Sequence, residues 1–240
     1  VFGVVVFATR GFSEAKTKHV ANVLAKYLDN DENGIPDNPL VVQTMIEERA
    51  GILLFVDEDE EEALFDRWDD DYYGPEKLQT QWSDETNPIR EFDATIEEVL
   101  HVITDAGYAN TYPDVFGEVS GSVLANLMDN ARGGHFEESS TYQEDLPWLG
   151  KSAVPSNYPK DAWYSYDDKT CTYGCMITEY IYWGLTSILG AQETRSHDIS
   201  HEWKLHTKQL VKESAPGLYN LLTDPQWGLP TELPDGSYCK

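Results

Sequence analysis

The chain has 240 residues, of which 40% are hydrophobic and 12% aromatic, so it can bury one substantial core. It carries 43 Asp and Glu against 17 Lys and Arg, a formal net charge of −26 at pH 7. This charge opposes phosphate backbones and anionic membranes and favours divalent cations, so we expect no nucleic-acid partner. No apolar run approaches the roughly 20 residues of a membrane-spanning helix, and we expect no span.

Strands and helices alternate through the first half of the chain. Apolar runs bounded by Gly, Pro and acidic residues predict the strands, and helical spacing of apolar residues predicts the helices. The predicted elements are a strand over 1–9, a helix capped by Ser13, a helix over 39–50, a strand over 51–58, an acidic helix from Asp57 and an edge strand over 78–83.

The second half has a different pattern. Helices are predicted over 122–131, 174–190 and 200–214, and an irregular Gly-, Pro-, Ser- and Tyr-rich stretch runs to Asp168. We therefore predict an α+β fold with a mixed N-terminal sheet. It forms a single domain over 1–240, with an α/β half over 1–116 and a mainly helical and irregular half over 117–240.

The segment Asp29-Asn-Asp-Glu-Asn-Gly-Ile-Pro-Asp37 has oxygen donors at alternating positions and a glycine at the sharp turn, as calcium loops do. Position 12 is Leu40 instead of the usual bidentate Glu. The segment therefore resembles the shorter Asp-rich calcium loops of thrombospondin type-3 and dockerin modules. The alternative is an Asx-rich turn that needs no ion. The donors implied for calcium are Asp29, Asp31, Asn33 and Asp37, with the carbonyl of Ile35.

Residues 94–108 predict an amphipathic helix that carries the most informative motif of the chain. Glu97 and His101 are one turn apart, so their side chains can bind one metal ion, and Glu98 stands beside them. The alternative is a capping box in which Glu98 returns to the backbone amide of Thr95. In that case Glu97 and His101 form an ordinary charge pair.

This motif resembles the metal helix of zincin metallopeptidases, with glutamate in place of the first histidine. Zincins place that helix after a strand, helix, strand and edge-strand order, which is compatible with the order predicted for residues 1–108. In the gluzincin branch a later helix supplies a third, glutamate ligand, a role that the resemblance assigns to Glu179. Glu179 is the only acidic residue of an apolar helix, where a carboxylate needs a metal, a proton or a partner such as a tyrosine.

The resemblance also implies a mechanism. Glu98 would be the general base, and His135 or a tyrosine would stabilise the oxyanion, with His135 also a reserve ligand. Because carboxylate oxygen is harder than imidazole nitrogen, a site made of Glu97, His101 and Glu179 shifts from zinc toward iron or manganese.

Two smaller groups of residues complete the inventory. His197 and His201, followed by Glu202, form a second candidate cluster, which we interpret as an exposed helix start. Cys171 and Cys175 can form a local disulfide or bind a metal, and we favour the disulfide. Cys239 then pairs elsewhere or stays free.

Together these features predict a secreted, acidic metalloprotein of the zincin type, with Zn²⁺ (or iron or manganese) and Ca²⁺ as cofactors and a peptide or protein as substrate. Secretion is inferred from the acidity and the calcium-type loop. The glutamate at position 97 leaves open whether the protein is an active hydrolase. A non-catalytic calcium-dependent binding or matrix protein and a carboxylate–histidine iron protein are the alternatives.

Overall fold

The computed structural model describes residues 1–66, 77–137 and 151–239. The chain separates into two compact units, one formed by Val1–Thr111 with Gly228–Lys240 and the other by Tyr112–Trp227. The α+β class is confirmed, and the strands of the sheet all belong to the first unit. No helix within the described ranges is both long enough and apolar enough to cross a membrane.

The sheet of the first unit has three strands in the order β1 (Val5–Ala8), β2 (Ala50–Phe55) and β3 (Lys77–Trp82). Both pairings are parallel, with Val6 opposite Ile52 and Leu53 opposite Thr80. The prediction of a mixed sheet is therefore wrong for the described residues. The cause is the helical crossover after each strand, which returns the chain to the same end of the sheet.

The helices of the first unit begin close to their predicted starts, although the side chain of Ser13 makes no capping hydrogen bond with the helix that follows it. The side chain of Asn38 accepts a hydrogen bond from the amide of Val41, and the side chain of Asp57 accepts one from the amide of Glu60. β2 is buried along its whole length and forms the centre of the core. The helices are α1 (Glu14–Leu28), α2 (Pro39–Glu47), α3 (Glu58–Phe65), α4 (Thr95–Val102) and α5 (Ala109–Thr111).

A π-helical segment, Ile103–Tyr108, joins α4 to α5 without a break in the chain direction. Gly107 lies against α2, where an added Cβ atom would be 2.7 Å from Cγ1 of Val41 and 3.0 Å from Cγ of Met45. The close approach of the two helices therefore requires glycine at this position. Single turns of π-helix are found frequently at functional sites, and this one directly follows the helix that carries His101.

The second unit is built around the long apolar helix α8 (Tyr173–Leu189), which packs against α7 (Val123–Arg132), α10 (Lys208–Ser214) and α11 (Pro216–Leu222). Its core holds the rings of Tyr164, Tyr180 and Trp203, and the Trp203 indole donates to the Ser187 hydroxyl at 2.9 Å. The helices are α6 (Pro113–Phe116), α7 (Val123–Arg132), α8 (Tyr173–Leu189), α9 (Ser196–Ile199), α10 (Lys208–Ser214) and α11 (Pro216–Leu222), followed by a 3-10 turn, Pro225–Trp227.

The helix predicted over 200–214 is only half correct, because α10 begins at Lys208. Residues 202–204 instead run antiparallel to residues 163–165, with Tyr164 and Trp203 forming an isolated β-bridge. The buried ring of Trp203 holds this segment against the core, and the Thr207 side chain caps α10 by accepting from the Leu210 amide.

The disulfide between Cys171 and Cys175 is confirmed. It spans the start of α8, where the hydroxyl of Thr172 accepts from the Cys175 amide. Cys239 has a free, exposed thiol. The disulfide thus links the chain just before α8 to the first turn of that helix, which also carries Glu179.

Candidate metal sites

The predicted calcium loop places three carboxylates close together. Asp29, Asp31 and Asp37 each have an oxygen within 4.8 Å of the others. Gly34 has a φ of +89°, which permits the sharp turn, and its amide donates to Oδ2 of Asp29 at 2.7 Å. The amide of Asn33 donates to Oδ1 of both Asp29 and Asp31 at 3.1 Å. Backbone amides therefore hold the carboxylates before any ion is considered.

Asn33, a further predicted donor, already makes hydrogen bonds within the loop. Oδ1 of Asn33 accepts a hydrogen bond from the Ile35 amide at 2.8 Å, and its Nδ2 donates to Asp31 at 2.9 Å. Leu40, which takes the place of the usual bidentate Glu, is exposed. The three aspartates are thus the part of the predicted ligand set that the structure brings together.

The charges of the loop carboxylates oppose one another. Burial, together with the charges of Asp31 and Asp29, raises the pKa of Asp37 above its ordinary value. For Asp29, burial acts in the same direction, but hydrogen bonds from the Tyr238 hydroxyl and from the Gly34 and Asn33 amides outweigh it and lower the pKa. Three carboxylates kept this close together form a place where a divalent cation relieves repulsion.

The C-terminal segment, residues 228–239, packs on the calcium loop, and the sequence analysis missed it. Oδ1 of the buried Asn30 accepts from the Thr231 amide at 2.9 Å and the Glu232 amide at 3.0 Å. The Tyr238 hydroxyl donates to Oδ2 of Asp29. No local sequence signal could have shown this contact, because the partners of Asn30 lie at the other end of the chain.

Helix α4 places Glu97 and His101 on one face, since both lie within its regular turns. His101 is buried, with only 7% of its surface exposed, and Glu97 is half-buried. Nδ1 of His101 lies 3.7 Å from Oε2 of Glu98. The spacing that the sequence suggested for two ligands of one ion is therefore present in the helix.

The capping-box alternative for Glu98 is wrong. The residue before α4 is Ala94, and the amide of Thr95 donates to Asp93 at 3.2 Å instead of to Glu98. Oε2 of Glu98 accepts a hydrogen bond from Nε2 of Gln79, on the edge strand β3. The Glu98 carboxylate is therefore held beside His101 by the sheet and takes no part in capping the helix.

Asp93 anchors the start of α4. Its Oδ2 pairs with Nε2 of His19 at 2.6 Å, and its Oδ1 accepts from the amides of Asn87 and Thr95. Burial raises the pKa of Asp93, but the bond with His19 and the amide bonds outweigh burial and lower the pKa overall. These bonds hold the start of α4 against His19 of α1.

Glu179 lies in the second unit, in the middle of α8, and only 7% of its surface is exposed. Its Oε1 accepts a hydrogen bond from the Tyr166 hydroxyl at 3.3 Å. The tyrosine partner that the sequence left open is therefore present. Its negative charge also contributes to the raised pKa of the buried Tyr164 hydroxyl, for which burial is the main cause.

His135, the reserve ligand, follows α7 in the second unit. Its Nδ1 lies 2.9 Å from Oδ2 of Asp129, and its ring centroid is 4.6 Å from that of Tyr173. The Tyr173 hydroxyl donates to the same Asp129 oxygen at 2.9 Å. His135 is thus part of an Asp, His and Tyr cluster on α7 and α8.

A further group in the second unit joins Asp167, His201 and Glu202, whose donor atoms lie within 4.8 Å of one another. His197, which the sequence paired with His201, is fully exposed and has Asp198 as its neighbour at 3.7 Å. Burial is the main cause that raises the pKa of Glu202 to about 7, and the charge of Asp167 adds to it. The sequence cluster already included Glu202, but it had His197 in the place that Asp167 takes.

Comparisons of the chain with protein-family models, with curated proteins and with solved structures find no match.

Proposed function

We propose that the protein is a metal-dependent hydrolase of the zincin type, with α4 as its metal helix and a structural calcium ion in the loop over 29–37. The observation that carries the proposal is the position of Glu98. The Glu98 carboxylate takes no part in capping the helix. It accepts a hydrogen bond from Gln79 and lies 3.7 Å from Nδ1 of His101, and Glu98 directly follows Glu97 in the chain. A base next to two candidate ligands on one helix is the arrangement that metal-assisted hydrolysis needs.

The proposed transition-metal ligands are Glu97 and His101, with Glu179 as the third ligand implied by the resemblance. Two carboxylates and one imidazole make a harder set than the histidine-rich sites of zinc hydrolases. Zinc, iron and manganese all accept such a set. Burial of His101 supports its assignment, because burying an imidazole is costly unless it is paired or binds a metal.

In the proposed reaction, a bound metal supplies Lewis-acid activation of water and of the scissile carbonyl. Glu98 accepts the proton of the attacking water on its carboxylate. Gln79 keeps that carboxylate in one orientation, because its Nε2 donates to Oε2. β3 pairs only with β2 among the described strands, so its other edge can align an extended peptide by main-chain hydrogen bonds.

The proposed calcium ligands are Asp29, Asp31 and Asp37, with Asn33 and the Ile35 carbonyl as further donors. The short distances between the three carboxylates support this assignment. Secretion is part of the same proposal, because calcium at this loop suits extracellular concentrations and the disulfide at Cys171 and Cys175 suits an oxidising compartment.

The test separates ligand from base. His101→Ala removes a proposed ligand and is expected to lose the metal ion held by α4 and, with it, peptidase activity. Glu98→Gln keeps the shape and an acceptor oxygen for Gln79 but cannot take a proton, so it is expected to keep the metal and lose hydrolysis. His197→Ala, a fully exposed histidine, is the matched control and should keep both.

Metal content and cleavage of an unfolded protein substrate are measured for all three variants and the wild type. If His101→Ala keeps the full metal content of the wild type, α4 is only an amphipathic helix and the proposal fails. If metal is lost but the wild type cleaves nothing, the protein is the non-catalytic metal-binding alternative.

A further inference from the structure

We propose that the second unit carries its own divalent-metal site, formed by Asp167, His201 and Glu202. The site would take an ion that accepts mixed nitrogen and oxygen ligands, such as zinc or manganese. It shares no ligand with the α4 assignment or with the calcium loop.

The distances suit one ion. One nitrogen of His201 and one oxygen each of Asp167 and Glu202 lie within 4.8 Å of one another. Ligand atoms that share an ion at about 2.1 Å lie at most about 4.2 Å apart, so small side-chain rotations bring all three to bonding distance. One pair is already 3.6 Å apart, Nε2 of His201 and Oε1 of Glu202.

The two segments that carry these ligands are held together by the backbone. The amide of Ser165 donates to the carbonyl of Glu202 at 2.8 Å, and its hydroxyl donates to the carbonyl of His201 at 2.7 Å. The Lys204 amide donates to the Trp163 carbonyl at 3.1 Å. The fully buried Trp203 anchors the second segment in the core. The donors therefore converge on a fixed scaffold, which reduces the entropy cost of binding an ion.

The three ligands combine one inner carboxylate with two side chains at the surface, so an ion can reach the site from solvent. The Glu202 side chain is only 16% exposed, whereas that of His201 is 60% exposed and Asp167 lies at the surface. Glu202 thus provides an inner carboxylate next to the charge of Asp167, and the outer side stays open to solvent for entry of the ion and for water ligands. A divalent cation between them neutralises two carboxylates that repel each other.

The same stretch of chain contains a matched pair for comparison. His197 is followed by Asp198, just as His201 is followed by Glu202, and the His-to-carboxylate distances are similar at 3.7 Å and 3.6 Å. His197 and Asp198 belong to no group of three donors among the described residues. If an adjacent histidine and carboxylate were enough to bind metal, both pairs would bind equally. The third donor, Asp167, makes the difference.

The experiment titrates Zn²⁺ into the full chain by calorimetry with calcium present, using His101→Ala as the background so that α4 does not contribute. One zinc ion should bind in this background. Adding His201→Ala or Glu202→Gln should weaken that binding by more than about 10- to 100-fold, the loss that follows when a residue that only supports a ligand is changed. Adding His197→Ala should leave it unchanged.

Absence of zinc binding in the background would overturn the proposal, as would equal effects of His201→Ala and His197→Ala. Circular dichroism melting of each variant checks that the fold is retained, which we expect because both histidines are mostly exposed. Failure of the α4 site has a different signature, since it leaves the wild type and the His101→Ala background with the same number of zinc ions.

Discussion

The calcium loop and helix α4 belong to the same unit, and both gather acidic side chains, but they hold them by different means. In the loop, amides of nearby residues fix the carboxylates, as those of Asn33 and Gly34 do for Asp29. On α4, the helix sets the spacing, while a distant side chain, that of Gln79, fixes Glu98. Donors fixed by their own backbone suit a structural ion. Donors fixed by side chains suit a group whose proton must move.

This comparison predicts its largest effect at Glu98. Glu98→Gln should lower kcat by at least about 100-fold, the usual minimum for loss of a general base, with metal content unchanged. Gln79→Ala should lower kcat less, since it only releases the orientation of the carboxylate. Steady-state kinetics on one peptide substrate measure both, and equal losses in the two variants would contradict the division between base and orienting residue.

At the loop over 29–37, calcium should raise the stability of the folded protein. An ion that binds only the folded state stabilises it by about 2.7 kcal/mol at a concentration 100 times its Kd. Asp31 is exposed, so the hydrogen bonds from Asn33 that Asp31→Ala removes should cost little in chelator, and the larger loss of stability should appear in calcium. Urea denaturation in both buffers measures this. Asp59 is an exposed acid outside the loop, so Asp59→Ala should change the free energy of unfolding by the same amount in both buffers.

The C-terminal segment should sharpen the comparison further, because its hydrogen bonds go to Asn30 and Asp29 of the loop. Asn30→Ala removes the acceptor of the amides of Thr231 and Glu232 and should cost about 2 kcal/mol, since each lost hydrogen bond contributes about 1 kcal/mol. Asn22→Ala removes only one hydrogen bond, to the Gly236 carbonyl, and is the matched control. Limited proteolysis should release the C-terminal segment faster from the first variant than from the second.

The smallest effect concerns the start of α4. The pKa of Asp93 lies below its ordinary value of 3.8, so its ionised form stabilises the folded state. That stabilisation is complete above the unfolded pKa and is lost as the pH falls through the folded one. The stability difference between the wild type and Asp93→Asn should therefore be constant near neutral pH and shrink below about pH 4. Because the site is partly exposed, we expect less than about 1 kcal/mol.

The features that the sequence could predict depend on neighbours in the chain. Alternating donors around Gly34 predicted the convergence of Asp29, Asp31 and Asp37, since a tight turn leaves few other arrangements. The apolar run of β2 and the capped starts of α2 and α3 were predictable for the same reason. The i, i+4 spacing of Glu97 and His101 needed only a regular helix.

The features that the sequence could not predict depend on distant partners. The parallel sheet results from how the crossovers pack, and the loss of helix before Lys208 results from burial of the Trp203 ring. Gln79 was identified only as part of a strand, because its bond to Glu98 joins two elements. Similarly, His201 was paired with His197 by spacing, whereas its neighbours in space are Asp167 and Glu202.

The central claim is that α4 binds a transition metal, and anomalous diffraction tests it most directly. Crystals of the zinc-loaded protein are measured on either side of the zinc absorption edge. We predict an anomalous peak at about 2.1 Å from an imidazole nitrogen of His101 and from a carboxylate oxygen of Glu97. Zinc-loaded crystals with no peak beside either residue would contradict the claim.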